Sequence, residues 1–301
     1  MPFPRVTTAV VATWLAWQVA APTVLAQGQG LEVSTWARAY RPGEVVLVTV
    51  RAAPGVGRLA GSAFAAPLAF WPTAPDGPWV SLVGIPITTK PGSYRVLVHA
   101  DEARAESAQS SIVVTGHTFE TRRLKVDDRF INPPASEAAR IAREAKQLAA
   151  LFAGRRPVRL WQGPFVAPVP GPTNSAFGRL SVYNGKPGSR HQGADFQAAT
   201  GTPIVAPNAG VVVLASDLYF SGNTVVVDHG DGLFSLMAHL SRMAVDAGST
   251  VGRGDRLGEV GATGRVTGPH LHWAVRLRGV SVDPLSLIAA IEAMAGVKRA
   301  P

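Results

Sequence analysis

Between residue 31 and about residue 116, short runs of apolar and β-branched residues recur, among them Val45–Val50, Tyr94–Val98 and Ser111–Thr115. Turn-forming clusters separate them: Arg41-Pro42-Gly43, Ala53-Pro54-Gly55, Asp76-Gly77-Pro78 and Lys90-Pro91-Gly92. Runs of this length, punctuated by Pro and Gly, predict short antiparallel strands, and their spacing predicts an immunoglobulin-like β-sandwich. Trp71 and Trp79 read as core or rim residues of that module. From 118 to 156 the period changes. Pro133-Pro134 followed by Ser136 makes a helix start, and Ile141, Ala145, Leu148 and Phe152 then fall on one helical face. Arg140, Arg143, Glu144 and Lys146 occupy the other faces, as in a connecting helix packed on a neighbouring domain. Gly163 to Thr173 is rich in Pro and Gly and reads as a linker or an extended wrap into the next unit.

Beyond residue 174 alternation returns. Thr224–Asp228 and Gly232–His239 flank Gly230-Asp231, the arrangement of a hairpin. His270–Leu277 puts Leu271, Trp273, Val275 and Leu277 on one face and His270, His272, Ala274 and Arg276 on the other. The expected chain is mainly β. It divides into a β-sandwich module at 27–117, a linker with a helix at 118–156, a β-rich domain at 157–292 and a basic tail at 293–301.

The first 26 residues stand apart. Arg5, the apolar run Ala9–Trp17 and the small-residue pattern Val24-Leu25-Ala26 form a signal peptide. The run is too short for a bilayer core of roughly 30 Å, which needs about 20 residues. A cleaved signal is therefore expected, with an uncleaved anchor as the alternative. Either places the protein outside the cytoplasm, in the periplasm or cell envelope, and no later segment is apolar enough to span. There is no cysteine, which removes disulfides and restricts any metal site to His, Asp and Glu ligands. Of the net charge of +9, +4 falls within 118–156. This balance suits an anionic partner such as an acidic cell wall, or simply a solvated basic surface. Export argues against nucleic acid.

The histidines carry the candidate chemistry. His270-Leu271-His272 places two imidazoles on the same side of a strand, as two metal ligands or as one ligand beside an acid/base group. His191-Gln192-Gly193-Ala194-Asp195 places an imidazole and a carboxylate four residues apart, and Gly193 with Pro187-Gly188 argues for strand rather than helix. His191, Asp195 and His272 together would offer three Zn²⁺ ligands and leave a fourth position open, the mark of a catalytic rather than a structural site. His229 reads as a turn or supporting residue, His99 and His117 as surface or strand-end residues, and Asp283 as a turn former before Pro284.

The order of these elements resembles the lysostaphin-type (LytM-like) zinc endopeptidases of peptidoglycan, over roughly the last two fifths of the chain. The matching residues are Ser175-Ala176-Phe177-Gly178-Arg179, then Asn184-Gly185 leading to His191-x-Gly193-x-Asp195, and Gly201-Thr202-Pro203-Ile204-Val205-Ala206. Gly222-Asn223 with Val225–Gly230 and Ala238-His239-Leu240-Ser241 follow. Gly264-x-x-Thr267-Gly268-Pro269-His270-Leu271-His272 and Val282-Asp283-Pro284 complete the set.

The resemblance implies a β-sheet groove with zinc held by His191, Asp195 and His272, and His239 and His270 as catalytic histidines. It further implies a metalloendopeptidase cutting peptide cross-links or stem peptides of peptidoglycan, with a D-alanyl bond to a diamino acid as the expected target. The alternative within the same fold is a non-catalytic wall-binding or amidase-activating protein. A regulatory protein partner in the cell envelope is compatible with either. Two positions depart from the family pattern. Met237 stands where an aromatic residue is common, and Arg179 follows Gly178 one place early.

Overall fold

The computed structural model describes residues 27–28, 30–100, 107–174 and 177–297. The signal segment expected at 1–26, Ser175-Ala176 of the first motif and residues 298–301 of the expected tail lie outside them.

The chain is mainly β, as its patterning predicts. In the N-terminal module one sheet runs Gln27–Gly28, Leu31–Trp36, Val45–Ala52, Trp79–Gly84, Trp71–Pro72 in spatial order. The other runs Ala66–Ala69, Leu59–Ala63, Gly92–Ala100, Ser107–Val114. Val46, Val48 and Val50 of the first sheet and Val96, Val98 and Ile112 of the second share one buried cluster, so the two sheets face each other.

The strand Val45–Ala52 is apolar on both faces, and the structure shows why. Val46, Val48 and Val50 fill the sandwich, whereas Val45 and Leu47 point the other way into the largest core of the molecule. That core also takes Val80 and Leu82, one face of the C-terminal sheet, and Leu287, Ala290, Ile291 and Met294 of helix α2 (Pro284–Val297). A strand buried on both sides reads as a continuous hydrophobic run. Helix α2 thus lies between the two modules. It extends past residue 292, where the sequence placed the start of a tail: Met294 is buried and keeps the last turn in the core.

The C-terminal sheet is antiparallel, in the spatial order Thr173–Asn174, Gly193–Phe196, Leu271–Leu277, Leu233–Met243, Gly222–Asp228, Gly210–Leu218, Thr250–Val251. Leu271, Trp273, Val275 and Leu277 all face the main core, so the expected alternation appears as written in the sequence. The Pro/Gly-rich stretch is a wrap rather than a free linker: its Phe165 and Val169 insert into the same core, beside the preceding Trp161.

Helix α1 (Ala138–Ala153) covers part of the opposite face, where Leu148, Leu151 and Phe152 pack on Leu214, Leu218, Val226 and Phe234. Its contact face is rotated from the one the apolar spacing predicts. Ala145 is exposed, while Arg140 and Glu144 are half-buried. Glu144 accepts from Arg140 Nε at 2.7 Å and from the Tyr219 backbone N–H at 2.8 Å, and Arg140 donates to Asp217 at 3.0 Å. A turn of backbone needing an acceptor has drawn a charged pair into the interface.

The linker also contains a strand the sequence did not signal. Thr121–Leu124 pairs in parallel with Leu180–Tyr183, the first strand of a hairpin completed by Lys186–Arg190. Asn184-Gly185 makes the tight turn, with φ of 48° and 85°. The Asn184 amide also accepts from the Val126 N–H and donates to the Val126 carbonyl, at 3.1 and 3.0 Å, fastening the linker to the hairpin tip.

Candidate metal centre

Three neighbouring segments bring His191, Asp195 and His272 together. Asp195 and His272 are direct cross-strand partners, and both side chains project from the face opposite the core. His191 lies just before the Asp195 strand, in backbone exchange with the preceding segment: Gly178 N–H donates to its carbonyl and its own N–H donates to the Arg179 carbonyl, both at 2.8 Å. Gly193 between them has no room for a side chain. A Cβ there would lie 2.4 Å from the Trp273 carbonyl oxygen and 2.8 Å from the His272 ring.

Asp195 Oδ1 lies 2.9 Å from His191 Nε2 and 3.0 Å from His272 Nδ1, and the two ring nitrogens are 2.9 Å apart. Three potential donor atoms therefore converge on one point, and the group can hold a metal ion. Two imidazoles and one carboxylate fit a borderline cation such as Zn²⁺, with room for a further ligand on the open side. Burial on its own would raise the Asp195 carboxyl. Hydrogen bonds and charge from His191 and His272 outweigh it and hold the group far below the usual carboxylate range. Burial depresses His272, with His191 and His270 acting in the same direction, so its ring tends to the neutral, ligating form.

His239 and His270 border this cluster, with ring centroids 5.0 Å apart. His239 reaches the groove through a bulge. Leu233, Ser235 and Met237 alternate inward along their strand, but the next core residue is Leu240, and the pairing register slips between Asn223 and Val225. The extra residue is His239, at φ 68°, which turns its ring out of the core. Its Nδ1–H donates to the Thr263 carbonyl at 2.9 Å, and His270 Nδ1–H donates to the Gly268 carbonyl at 2.9 Å. Each carbonyl holds a proton on Nδ1 and leaves Nε2 as the atom open to proton exchange. Burial, then the charge of His272 and His270, pushes His239 down to about 3, so it is neutral at neutral pH.

These five residues line a groove of about 350 Å³. The hairpin at 180–190 and Arg122, Leu124 and Val126 of the linker form one wall, and Phe220, Ser221 and Arg265–Thr267 form the other. The linker's place in the wall has no signal in the sequence, because Thr121–Leu124 has no clear alternation and an exposed, basic surface. Of the two departures from the family pattern, Met237 is wholly buried in the core and does not line the groove. Arg179 does line it, with its guanidinium 3.2 Å from Glu120.

The remaining candidates serve the scaffold. Asp283 caps a helix instead of closing a turn: its carboxylate accepts from the Leu285 N–H at 3.0 Å and meets Arg38 of the N-terminal module at 2.8 Å. His229 is fully buried. Its Nδ1–H donates to the Ala209 carbonyl at 2.8 Å, and Ser235 Oγ lies 2.9 Å from its Nε2. Burial pushes this imidazole down to about 4, with a weaker opposing pull from Ala209 and Asp228. The unfolded chain binds the same proton near 6.5, so it holds more protons than the folded chain between those values. Stability is therefore lost as pH falls through that window. Denaturant unfolding at pH 7 and pH 5 should show wild type losing about 2 kcal/mol more than His229→Gln; equal losses would refute the assignment.

Comparison with known proteins gives the family. The family model described as peptidase family M23 matches residues 189–284. Peptidoglycan DD-endopeptidase ShyA of Vibrio cholerae is 43% identical over 95 residues, which is 32% of this chain and 22% of that protein. DD-carboxypeptidase/endopeptidase Mpg of Neisseria meningitidis is 41% identical over 97 residues, again 32% of this chain and 22% of the relative. The match thus spans about a fifth of the length of these curated relatives. A crystal structure from Pseudomonas aeruginosa described as a peptidase of M23 type aligns far more fully, with a TM-score of 0.65 and 32% identity over 84% of this chain and 97% of that one. Since that alignment takes in nearly all of the related structure, including strands outside the groove, the chain belongs to peptidase family M23.

Proposed function

We propose that the protein is a zinc metalloendopeptidase that hydrolyses peptide cross-links or stem peptides of peptidoglycan, exported to the periplasm or cell envelope. The observation that carries this reading is the convergence of His191, Asp195 and His272 beside two further histidines whose Nδ1 atoms are both tied to backbone carbonyls. A surface that only bound peptide would not need two imidazoles beside the cluster, each oriented by a backbone carbonyl with Nε2 left for proton exchange. The substrate class follows from the relatives, whose names are those of peptidoglycan endopeptidases. A D-alanyl bond to a diamino acid is the expected target.

In this reading His191, Asp195 and His272 hold the metal. Zinc there supplies a Lewis acid for the scissile carbonyl and a water of lowered pKa. His239 and His270 divide the proton work. One accepts a proton at Nε2 while its Nδ1–H stays on the backbone carbonyl, and returns it to the leaving amine. The other, carrying a proton on Nε2 as well as on the Nδ1 that its carbonyl holds, would donate from Nε2 to the charge that develops on the carbonyl oxygen. The two walls align an extended peptide across the cluster.

Mature protein incubated with soluble cross-linked muropeptides should convert dimers to monomers, lose that activity on chelation and regain it with zinc. Product masses distinguish internal cleavage from removal of a terminal D-alanine. Intact dimers after prolonged incubation with zinc-loaded protein would sink the hydrolase reading in favour of a binding role.

A further inference from the structure

Among the described residues the groove walls carry four arginines, Arg122, Arg179, Arg190 and Arg265, against a single lining carboxylate, Asp195. Asp195 is already engaged by His191 and His272. Arg179 is spent in part on Glu120, and Arg190 on the Gly178 carbonyl. Arg265 is spent on nothing: among the described residues no carboxylate comes within salt-bridge distance, and its guanidinium makes no side-chain hydrogen bond. Yet it is half-buried and held in place. It stacks over the Tyr183 ring at 4.4 Å and the Phe220 ring at 4.9 Å, one from each wall of the groove. Its backbone N–H donates to the Phe220 carbonyl at 2.8 Å.

A guanidinium stacked on aromatic faces is fixed through its π surface, while its five N–H groups lie in the plane and stay free. That edge matches a carboxylate, which can take two parallel hydrogen bonds from it. The ordering cost, usually high for arginine, is already met in the resting protein.

We propose that Arg265 is the specificity-determining residue of the groove, the one whose free fork recognises a carboxylate of the bound peptide. Arg122, brought to the groove by the linker strand, adds to the same positive field. The proposal rests on the peptidase reading for its substrate, but its test separates the two.

The test is calorimetric binding of a short synthetic wall-type peptide with free carboxylates, and of the same peptide with those carboxylates as amides. The full zinc-loaded chain is used in the cold, with intact ligand verified by mass afterwards. Wild type should bind the acid form about tenfold more tightly than the amide. Arg265→Gln should lose that preference and bind both forms as wild type binds the amide, which also shows that the variant is folded. Arg265→Lys keeps the charge without the stacked fork and should recover less than half of the preference. Arg95→Gln, an exposed arginine of the N-terminal module, should behave as wild type. Equal binding of acid and amide by wild type, an equal drop for both in Arg265→Gln, or no binding of either form would overturn the proposal. Selective binding of the acid form in the cold, with that peptide and cross-linked muropeptides still intact after prolonged incubation at 37 °C, would leave the subsite standing and remove the peptidase reading.

Discussion

His272→Ala is expected to purify with less than about a tenth of the wild-type metal and to lose at least about a hundredfold in muropeptide cleavage. Changes to groups that merely support a metal ligand already cost 10–100-fold, so loss of a ligand should cost no less. The geometry makes His272 the most telling of the three. It is the cross-strand partner of Asp195, and the strand behind it is anchored by Leu271 and Trp273 in the core. Removing its ring therefore leaves the scaffold standing while the three-donor point collapses to two. Asp195→Asn provides the near-isosteric companion, keeping the shape while deleting the charge that draws His191 and His272 together. Metal content by mass spectrometry and thermal unfolding with added zinc read the effect independently of activity. Zinc should raise the wild-type melting temperature and leave both variants unmoved. Full zinc content in either variant would mean that these residues are not the ligands.

The second large effect concerns the N-terminal module. Residues 157–301 produced alone should fail to form a cooperative fold, because helix α2 would lose its cover. Val45, Leu47, Val80 and Leu82 close one side of the main core. At about 1.5–3 kcal/mol for each buried aliphatic side chain, their loss removes roughly 6–12 kcal/mol. That is comparable to the whole stability of a typical domain, about 5–15 kcal/mol. Polar contacts are lost as well. Ser286 accepts from the Val45 N–H at 2.8 Å, and Arg38 joins Glu44 and Asp283. Burial opposes the charges of this trio, but the pairing with Arg38 still leaves Glu44 below the ordinary carboxylate range. Within the full chain, Leu47→Asp tests the same contact by placing a charge in that core. A sharp, two-state melt of the isolated 157–301 fragment, close to that of 27–301, would show the contact to be dispensable.

These two cases also mark what the sequence makes legible. The face of the His272 strand could be read directly, because alternation and burial agree there, and the hairpin at Gly230-Asp231 followed from turn chemistry. Positions set by tertiary demand could not. His239 leaves its strand through a one-residue slip visible only as a gap between Met237 and Leu240 in the inward pattern. Arg140 and Glu144 look like solvent-facing residues of an amphipathic helix, yet they turn inward to satisfy the backbone at Tyr219. Helix α2 is apolar nearly all round, which periodicity cannot distinguish from a strand and which signals burial on several sides. The groove wall at Thr121–Leu124 is held by a parallel partner some sixty residues away, and no local signal encodes such a pairing. Arg265 gains its interest only once Tyr183 and Phe220 are seen beneath it.

The double duty of the Val45–Ala52 strand bears on how such proteins can be recombined. A boundary drawn between the two modules by their strand content would fall at the linker, and a chimera joined there would pair a foreign sheet with this helix α2. The complementary surfaces are Val45, Leu47, Val80 and Leu82 on one side and Leu287, Ala290, Ile291 and Met294 on the other. They are separated by some two hundred residues of sequence but form one interlocking set. Workable crossovers would therefore exchange the N-terminal sheet and the fourteen-residue helix α2 together, leaving the groove between them as the transferable cassette.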